Sequence, residues 1–288
     1  MTGAPPFRRR SVQCASASGL HRLAYLEWGS STARDVVLCV HGLTRCARDF
    51  DALAQSLAER YRVICPDMPG RGYSDWLKDP AEYALPVYVN DIVTLIARLD
   101  ADAVDWVGTS MGGLIGMALA AQPGAPIRRM VLNEAGPLLR AASLERISRY
   151  VGRAPRFASM DEAERYVRQV SAPFGPHSDA EWQFLTEHVM RQQPDGSYAV
   201  HYDPRIAEAF NATQPHRDVD LWGFWDAIEC PTLVIRGELS DLLDRETVAA
   251  MRVRGPRAES VEVAGVGHAP TLMKPEQIAI VRDFLLRV

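Results

Sequence analysis

Val104-Asp105-Trp106-Val107-Gly108-Thr109-Ser110-Met111-Gly112-Gly113-Leu114-Ile115-Gly116-Met117-Ala118-Leu119-Ala120-Ala121 is the stretch on which the fold turns. Residues 104–108 form an apolar run of strand length, and 111–121 form an apolar run of helix length. Between them lies a pentad with glycine at each end and Ser110 at its centre. Gly108, Gly112 and Gly113 remove the side chains that would block so sharp a turn, so the serine hydroxyl is expected to point out above the sheet. A serine is a poor nucleophile unless a base lies within hydrogen-bond reach. At the start of a helix, the backbone N–H of Met111 would face a developing oxyanion, in a place where the helix dipole favours negative charge.

Working outward, the same alternation of strand and helix recurs. Residues 36–40 form an apolar strand ending in His41-Gly42, and 49–59 carry the spacing of an amphipathic helix. Strand 62–66, helix 87–99, strand 104–108, helix 111–121 and strand 129–133 follow. Strands apolar on both faces, with helices between them, predict a parallel α/β sheet. Residues 11–28 read as a hairpin at the sheet edge, turning at Ser18-Gly19. The pattern then changes to a mostly helical insert over 137–226. Ser159 to Glu162 and Ser178 to Glu181 have capping-box spacing, Asp203-Pro204 opens a helix, and Pro194-Asp195-Gly196 makes a turn between helices. Strands at 231–236 and 260–263 and a helix over 275–287 resume the α/β rhythm. The expected organisation is therefore a core domain of 1–136 and 227–288, interrupted by a helical cap of 137–226.

The partners of Ser110 should stand at other strand ends. His268 follows the last strand in the glycine-rich loop Gly265-Val266-Gly267-His268, which is able to carry an imidazole over the carboxyl ends of the strands. His21 lies near the hairpin, and His177, His188, His201 and His216 fall in the insert. His41 reads as a residue that shapes its loop by hydrogen bonding. For the acid, Asp241 follows strand 231–236 and is the first choice, with Asp244 three residues on and Glu134 after strand 129–133 as alternatives. The order is then Ser110, Asp241, His268. A second oxyanion donor is expected in the loop after strand 36–40, at the N–H of Leu43.

With these residues in place the chain resembles the α/β-hydrolase superfamily over nearly its whole length, the cap corresponding in architecture only. Asp67-Met68-Pro69-Gly70-Arg71-Gly72-Tyr73-Ser74 is similar to that family's D-x-P-G-x-G-x-S loop, and Gly265 to His268 to its G-x-G-H ending. The resemblance implies a mostly parallel eight-stranded sheet, a lid, and acyl transfer to serine followed by hydrolysis. Serine at position 110 separates the chain from the epoxide hydrolases and haloalkane dehalogenases of the superfamily, which carry aspartate there. A carboxylic ester or lactone of modest size is the first expectation for the substrate. A carbon–carbon hydrolase of ring-cleavage diketones and a slow-turnover ligand receptor are the alternatives.

Bulk properties bound these readings. The 288 residues are 47% hydrophobic, enough for one large core. The net charge of −4 is spread along the chain, which argues against nucleic acid or an anionic membrane as partner. The five cysteines show no paired spacing and read as free thiols in a reducing, cytoplasmic compartment. There is no apolar run long enough for a signal peptide or membrane span, no zinc-ligand spacing, no phosphate loop and no dinucleotide fingerprint. Cofactor-free chemistry on a small molecule is expected, with homodimerisation left open. Phe174, Trp182, Phe184, Trp222, Phe224 and Trp225 are candidates for an apolar pocket wall.

Overall fold

The computed structural model describes residues 6–212 and 217–287; His216 lies outside them. The first half of the core runs β1 (Phe7–Ser16), β2 (Gly19–Trp28), β3 (Val36–Val40), α1 (Asp51–Leu57), β4 (Arg62–Pro66), α2 (Leu85–Leu99), β5 (Val104–Thr109), α3 (Met111–Ala120) and β6 (Ile127–Asn133). The segment that follows contains β7 (Leu138–Leu139), α4 (Ala141–Ser148), β8 (Arg156–Phe157), α5 (Met160–Val170), α6 (Asp179–Val189), β9 (Met190–Gln192), β10 (Tyr198–Val200), α7 (Ile206–Ala212), β11 (Val219–Asp220) and α8 (Trp222–Asp226). Then β12 (Thr232–Gly237), α9 (Arg245–Met251), β13 (Glu259–Val263) and α10 (Pro275–Leu285) complete the chain.

The main sheet has eight strands in the order β1-β2-β4-β3-β5-β6-β12-β13. β1 and β2 are the antiparallel edge hairpin, and the strands from β4 to β13 pair in parallel. The chain is an α/β protein, as the alternation of the sequence predicts. β3 shows why the sheet is buried on both sides. Its period of two sends Val36, Leu38 and Val40 into the layer with α2 and α3, and Val37 and Cys39 into the layer with α1 and α10. Full burial of each such side chain contributes about 1.5–3 kcal/mol relative to exposure. The amphipathic α2 places Tyr88, Ile92, Leu95, Ile96 and Leu99 on this core and ends where Asp100 takes a left-handed conformation, φ 56°.

The segment between β6 and β12 is mostly helical, as expected, and adds short strands that the sequence did not suggest. It holds a three-stranded sheet, β8-β10-β9, and a two-stranded one, β11-β7, beside its helices. Pro194-Asp195-Gly196 turns between strands β9 and β10, which pair through Tyr198 and Gln192, rather than between helices. Asp203 caps the turn that leads into α7, its Oδ1 accepting from the Arg205 N–H at 3.0 Å and its Oδ2 from the Tyr83 hydroxyl at 2.6 Å, and the regular helix begins at Ile206. The Ser178 capping box with Glu181 is formed in full. Phe157, Ala163, Val167, Trp182, Leu185, Val189 and Met190 give this segment an apolar cluster of its own. Among the described residues, no helix is long and apolar enough to cross a membrane.

Candidate active site

Ser110 sits at the tip of the turn from β5 to α3 with φ 52° and ψ −114°, a region that side chains rarely adopt. Two close approaches hold it there. A side chain at Gly108 would come within 2.4 Å of the Gly112 carbonyl oxygen, and one at Gly112 within 1.9 Å of the Val40 carbonyl oxygen. The first contact folds the turn on itself; the second presses the start of α3 against the end of β3. The Ser110 N–H donates to the Asn133 carbonyl at 2.9 Å, fixing the turn to the end of β6.

The structure brings Ser110 and His268 together: Oγ lies 3.0 Å from Nε2. The other ring nitrogen, Nδ1, lies 3.1 Å from Oε2 of Glu134. Glu134 is fully buried and sits directly after β6 with φ 56°, which turns its side chain beneath the imidazole. Its Oε1 accepts from the Gly237 N–H at 2.5 Å, and its Oε2 accepts from the Ser240 hydroxyl at 2.6 Å. The acid beside His268 is therefore Glu134, and the expectation of Asp241 is corrected. Asp241 lies farther along the loop after β12, 53% exposed, with its oxygens on Arg146 of α4 at 2.6 and 2.9 Å. Asp244 caps α9, accepting from the Thr247 N–H at 2.6 Å, and pairs with Arg140.

The loop after β3 approaches Ser110 from the other side. Among the described residues, the N–H groups of Leu43 and Met111 have no hydrogen-bond partner, and both residues line the cavity that holds Ser110. His41 is fully buried, donating from Nδ1 to the Gly42 carbonyl at 2.7 Å and accepting at Nε2 from the Met68 N–H at 2.9 Å. Burial holds it neutral, with its pKa lowered to about 3. The Asp67–Ser74 loop supplies residues that composition does not mark. Buried Arg71 donates from Nε to the Leu43 carbonyl at 2.8 Å and from Nη1 to the Tyr88 hydroxyl at 2.7 Å. Asp67 accepts from the Ala47 and Tyr73 N–H groups at 2.8 and 2.9 Å, while burial raises its pKa to about 6. Asn133 is a further residue that motif spacing could not reveal. Its Nδ2 donates to Thr109 Oγ1 at 3.0 Å and to the Pro270 carbonyl at 2.8 Å, joining the serine strand to the histidine loop.

Ser110, His268, Leu43 and Met111 open onto a cavity of about 490 Å³ with a predominantly apolar lining. Of the six aromatic candidates, Phe174 lines it. Trp182 packs in the small cluster of the inserted segment, Trp225 is buried with its indole N–H on the Arg254 carbonyl, Trp222 stacks with Arg254, and Phe184 packs on His188. Leu144, Ile147, Tyr150, Val189, Met190 and Phe210 form the wall instead, because the faces of α4 and α6 and the approach of α7 decide which side chains look inward. Away from the cavity, Cys14, His21 and Asp91 bring three ligand-type atoms within 4.8 Å of one another. His21 Nε2 and Asp91 Oδ2 are already hydrogen-bonded at 2.9 Å, and burial pushes the Cys14 thiol up to about 12, which opposes the thiolate a metal would need. The cluster reads as internal packing between the edge hairpin and α2.

Comparison with known proteins agrees with this architecture. Residues 35–275 match the family described as alpha/beta hydrolase fold. A 3-hydroxybutyrate-oligomer hydrolase of Cupriavidus necator is 49% identical over 280 residues, which covers 95% of this chain and 96% of that protein. A pimeloyl-[acyl-carrier protein] methyl ester esterase of Aeromonas salmonicida is 25% identical over 265 residues, covering 87% and 95%. The crystal structure of an alpha/beta hydrolase from Novosphingobium aromaticivorans superposes with a TM-score of 0.89 at 40% identity, covering 99% of this chain and all of that one. The chain belongs to the α/β-hydrolase family.

Proposed function

We propose that the protein is a cofactor-independent serine hydrolase that cleaves carboxylic esters of short hydroxyacyl oligomers through an acyl-enzyme on Ser110. The observation that carries this reading is the unbroken chain of contacts from Ser110 Oγ to His268 Nε2 at 3.0 Å and from His268 Nδ1 to Glu134 at 3.1 Å, opening onto an apolar cavity. His268 takes the hydroxyl proton as Ser110 attacks the ester carbonyl. Glu134, accepting from Nδ1–H, fixes the tautomer and stabilises the imidazolium that forms. The N–H groups of Leu43 and Met111 hold the oxyanion. Collapse of the tetrahedral intermediate breaks the ester C–O bond, and His268 passes its proton to the departing alkoxide. Water, deprotonated by the same imidazole, then releases the acid and restores Ser110.

The substrate class is supported by the 49% identical relative, which is named a 3-hydroxybutyrate-oligomer hydrolase. A cavity of about 490 Å³ falls in the size range that encloses small ligands. In this reading 137–226 is the cap over a core of 1–136 and 227–288, a division supported by the separate apolar cluster of the segment and by the cavity lying between the two. The test is a parallel assay of wild type and Ser110→Ala on aryl butyrates and on 3-hydroxybutyrate dimers and trimers, with fluorophosphonate labelling. Ser110→Ala is expected to lose about 10⁶-fold in kcat and all labelling. Turnover at the wild-type rate in that variant would overturn the reading, and absence of both labelling and turnover in the wild type would turn it toward a binding protein.

A further inference from the structure

Two arginines break the apolar lining of the cavity, and they are differently committed. Arg45 spends Nε and Nη2 on both oxygens of Asp49, one helical turn away at 2.8 and 2.7 Å, and its side chain is only 12% exposed. Arg146, on α4, is 35% exposed, and its partner Asp241 is more exposed still. The Nε and Nη2 edge of Arg146 faces Asp241, which leaves the donors of Nη1 for another acceptor. Four residues on, Tyr150 lines the same cavity as Arg146. A guanidinium and a phenol from the same stretch of chain, set in a predominantly apolar wall, make a place where a carboxylate can be desolvated and still be paired. An exposed ion pair is weak, so a second carboxylate can share Arg146 with Asp241, or displace it, at little cost.

We propose that Arg146 and Tyr150 form a carboxylate subsite that binds the free acid end of a hydroxyacyl oligomer, with Asp241 as the counter-ion that holds Arg146 at the cavity wall before substrate binds. The proposal rests on Ser110 as the nucleophile of an ester hydrolase and adds the feature of the substrate that the cavity recognises. An oligomer chain with a free carboxylate is then preferred over the same chain capped as a methyl ester, although the bond cleaved is identical.

The experiment measures kcat/KM for a 3-hydroxybutyrate trimer and for its methyl ester, and reads the ratio of acid to ester so that any general loss of activity cancels. Arg146→Gln is expected to lower that ratio about 10- to 100-fold, mainly through KM of the acid, as loss of a charge-assisted pair of about 1.5–3 kcal/mol predicts. Arg146→Lys should recover part of it, Tyr150→Phe should lower it about 3- to 10-fold, and Asp241→Asn should raise it by freeing the guanidinium. An Arg146→Gln ratio equal to that of wild type overturns the subsite; a fall in Asp241→Asn overturns the counter-ion role. Failure of the nucleophile reading shows separately, as wild-type enzyme without turnover of any ester in the panel.

Discussion

β6 and β12 lie side by side in parallel, with Asn133 opposite Ile235, and each is followed by an acidic residue that the sequence offers as a partner of His268. Glu134 comes immediately after its strand, is fully buried, and has both oxygens occupied by the imidazole, the Gly237 N–H and the Ser240 hydroxyl. Asp241 comes four residues after β12, beyond the turn at Glu238-Leu239, and looks outward to Arg146. The two strand ends have also divided the work. The β12 loop does not supply the acid, yet it supplies two of the hydrogen bonds that hold the acid in place. A carboxylate is useful to an imidazole only where its remaining lone pairs are satisfied, and those donors come from the neighbouring strand's loop rather than from its own.

This contrast is broken most severely at Glu134. Glu134→Gln should lower kcat on a neutral aryl ester by about 10⁴-fold, since an amide in that position stabilises neither the tautomer nor the imidazolium. Asp241→Asn on the same substrate should stay within about fivefold of wild type, the scale of one exposed ion pair. Steady-state assays of both purified variants decide the matter, and a larger loss in Asp241→Asn would reverse the assignment of the acid. A finer test is Ser240→Ala, which removes one donor from Glu134 Oε2 while leaving the Gly237 N–H in place. A three- to tenfold fall in kcat with little change in KM is expected, as about 0.5–1.5 kcal/mol of hydrogen bonding is lost.

The smallest effect on turnover, and one on stability, concerns a third strand end. His41 follows β3 but is buried and neutral, unlike His268, which reaches the serine. Its folded pKa of about 3 lies below the ordinary histidine value of 6.5, so the folded state binds fewer protons than the unfolded one as pH falls through 6.5 toward 3. Stability from this group is therefore present above about pH 6.5 and lost on acidification, by about 2 kcal/mol between about pH 7 and about pH 5. His188 and His201, both lowered to about 4, act in the same direction. Asp67 acts oppositely: with its pKa raised to about 6, the stability it contributes is complete below its ordinary 3.8 and lost as pH rises through 6. Asp51 and Asp91, also raised by burial, act with Asp67, so the readout specific to this group is His41 itself, whose ring resonances should not titrate above about pH 4. A His41 midpoint near 6.5 would contradict this account.

Much of the site was readable along the chain because it is built from short-range constraints. The turn at Ser110 needs small residues within two positions of it, and a run of apolar residues before and after, all of which appear in consecutive letters. The His41-Gly42 loop and the Gly265-to-His268 loop are local in the same sense. Glu134 carried a weaker signal, a lone acid at a strand end, no stronger in the sequence than the one at Asp241. The inserted segment was the least readable. Its aromatics suggested a pocket wall, but whether Trp182 or Leu144 faces the cavity depends on how α4 and α6 are rotated against the core, and no periodicity within one helix sets that rotation.

By itself, then, the sequence determined the α/β sheet, the strained serine at the end of β5 and the histidine that meets it, because backbone sterics and apolar period act over a few residues. Only the tertiary structure decided that Glu134 and not Asp241 stands beside His268, and that Asp241 is the partner of a cavity arginine. Those choices depend on the register of β6 against β12 and on donors lying 103 and 106 residues away along the chain, which no local pattern encodes.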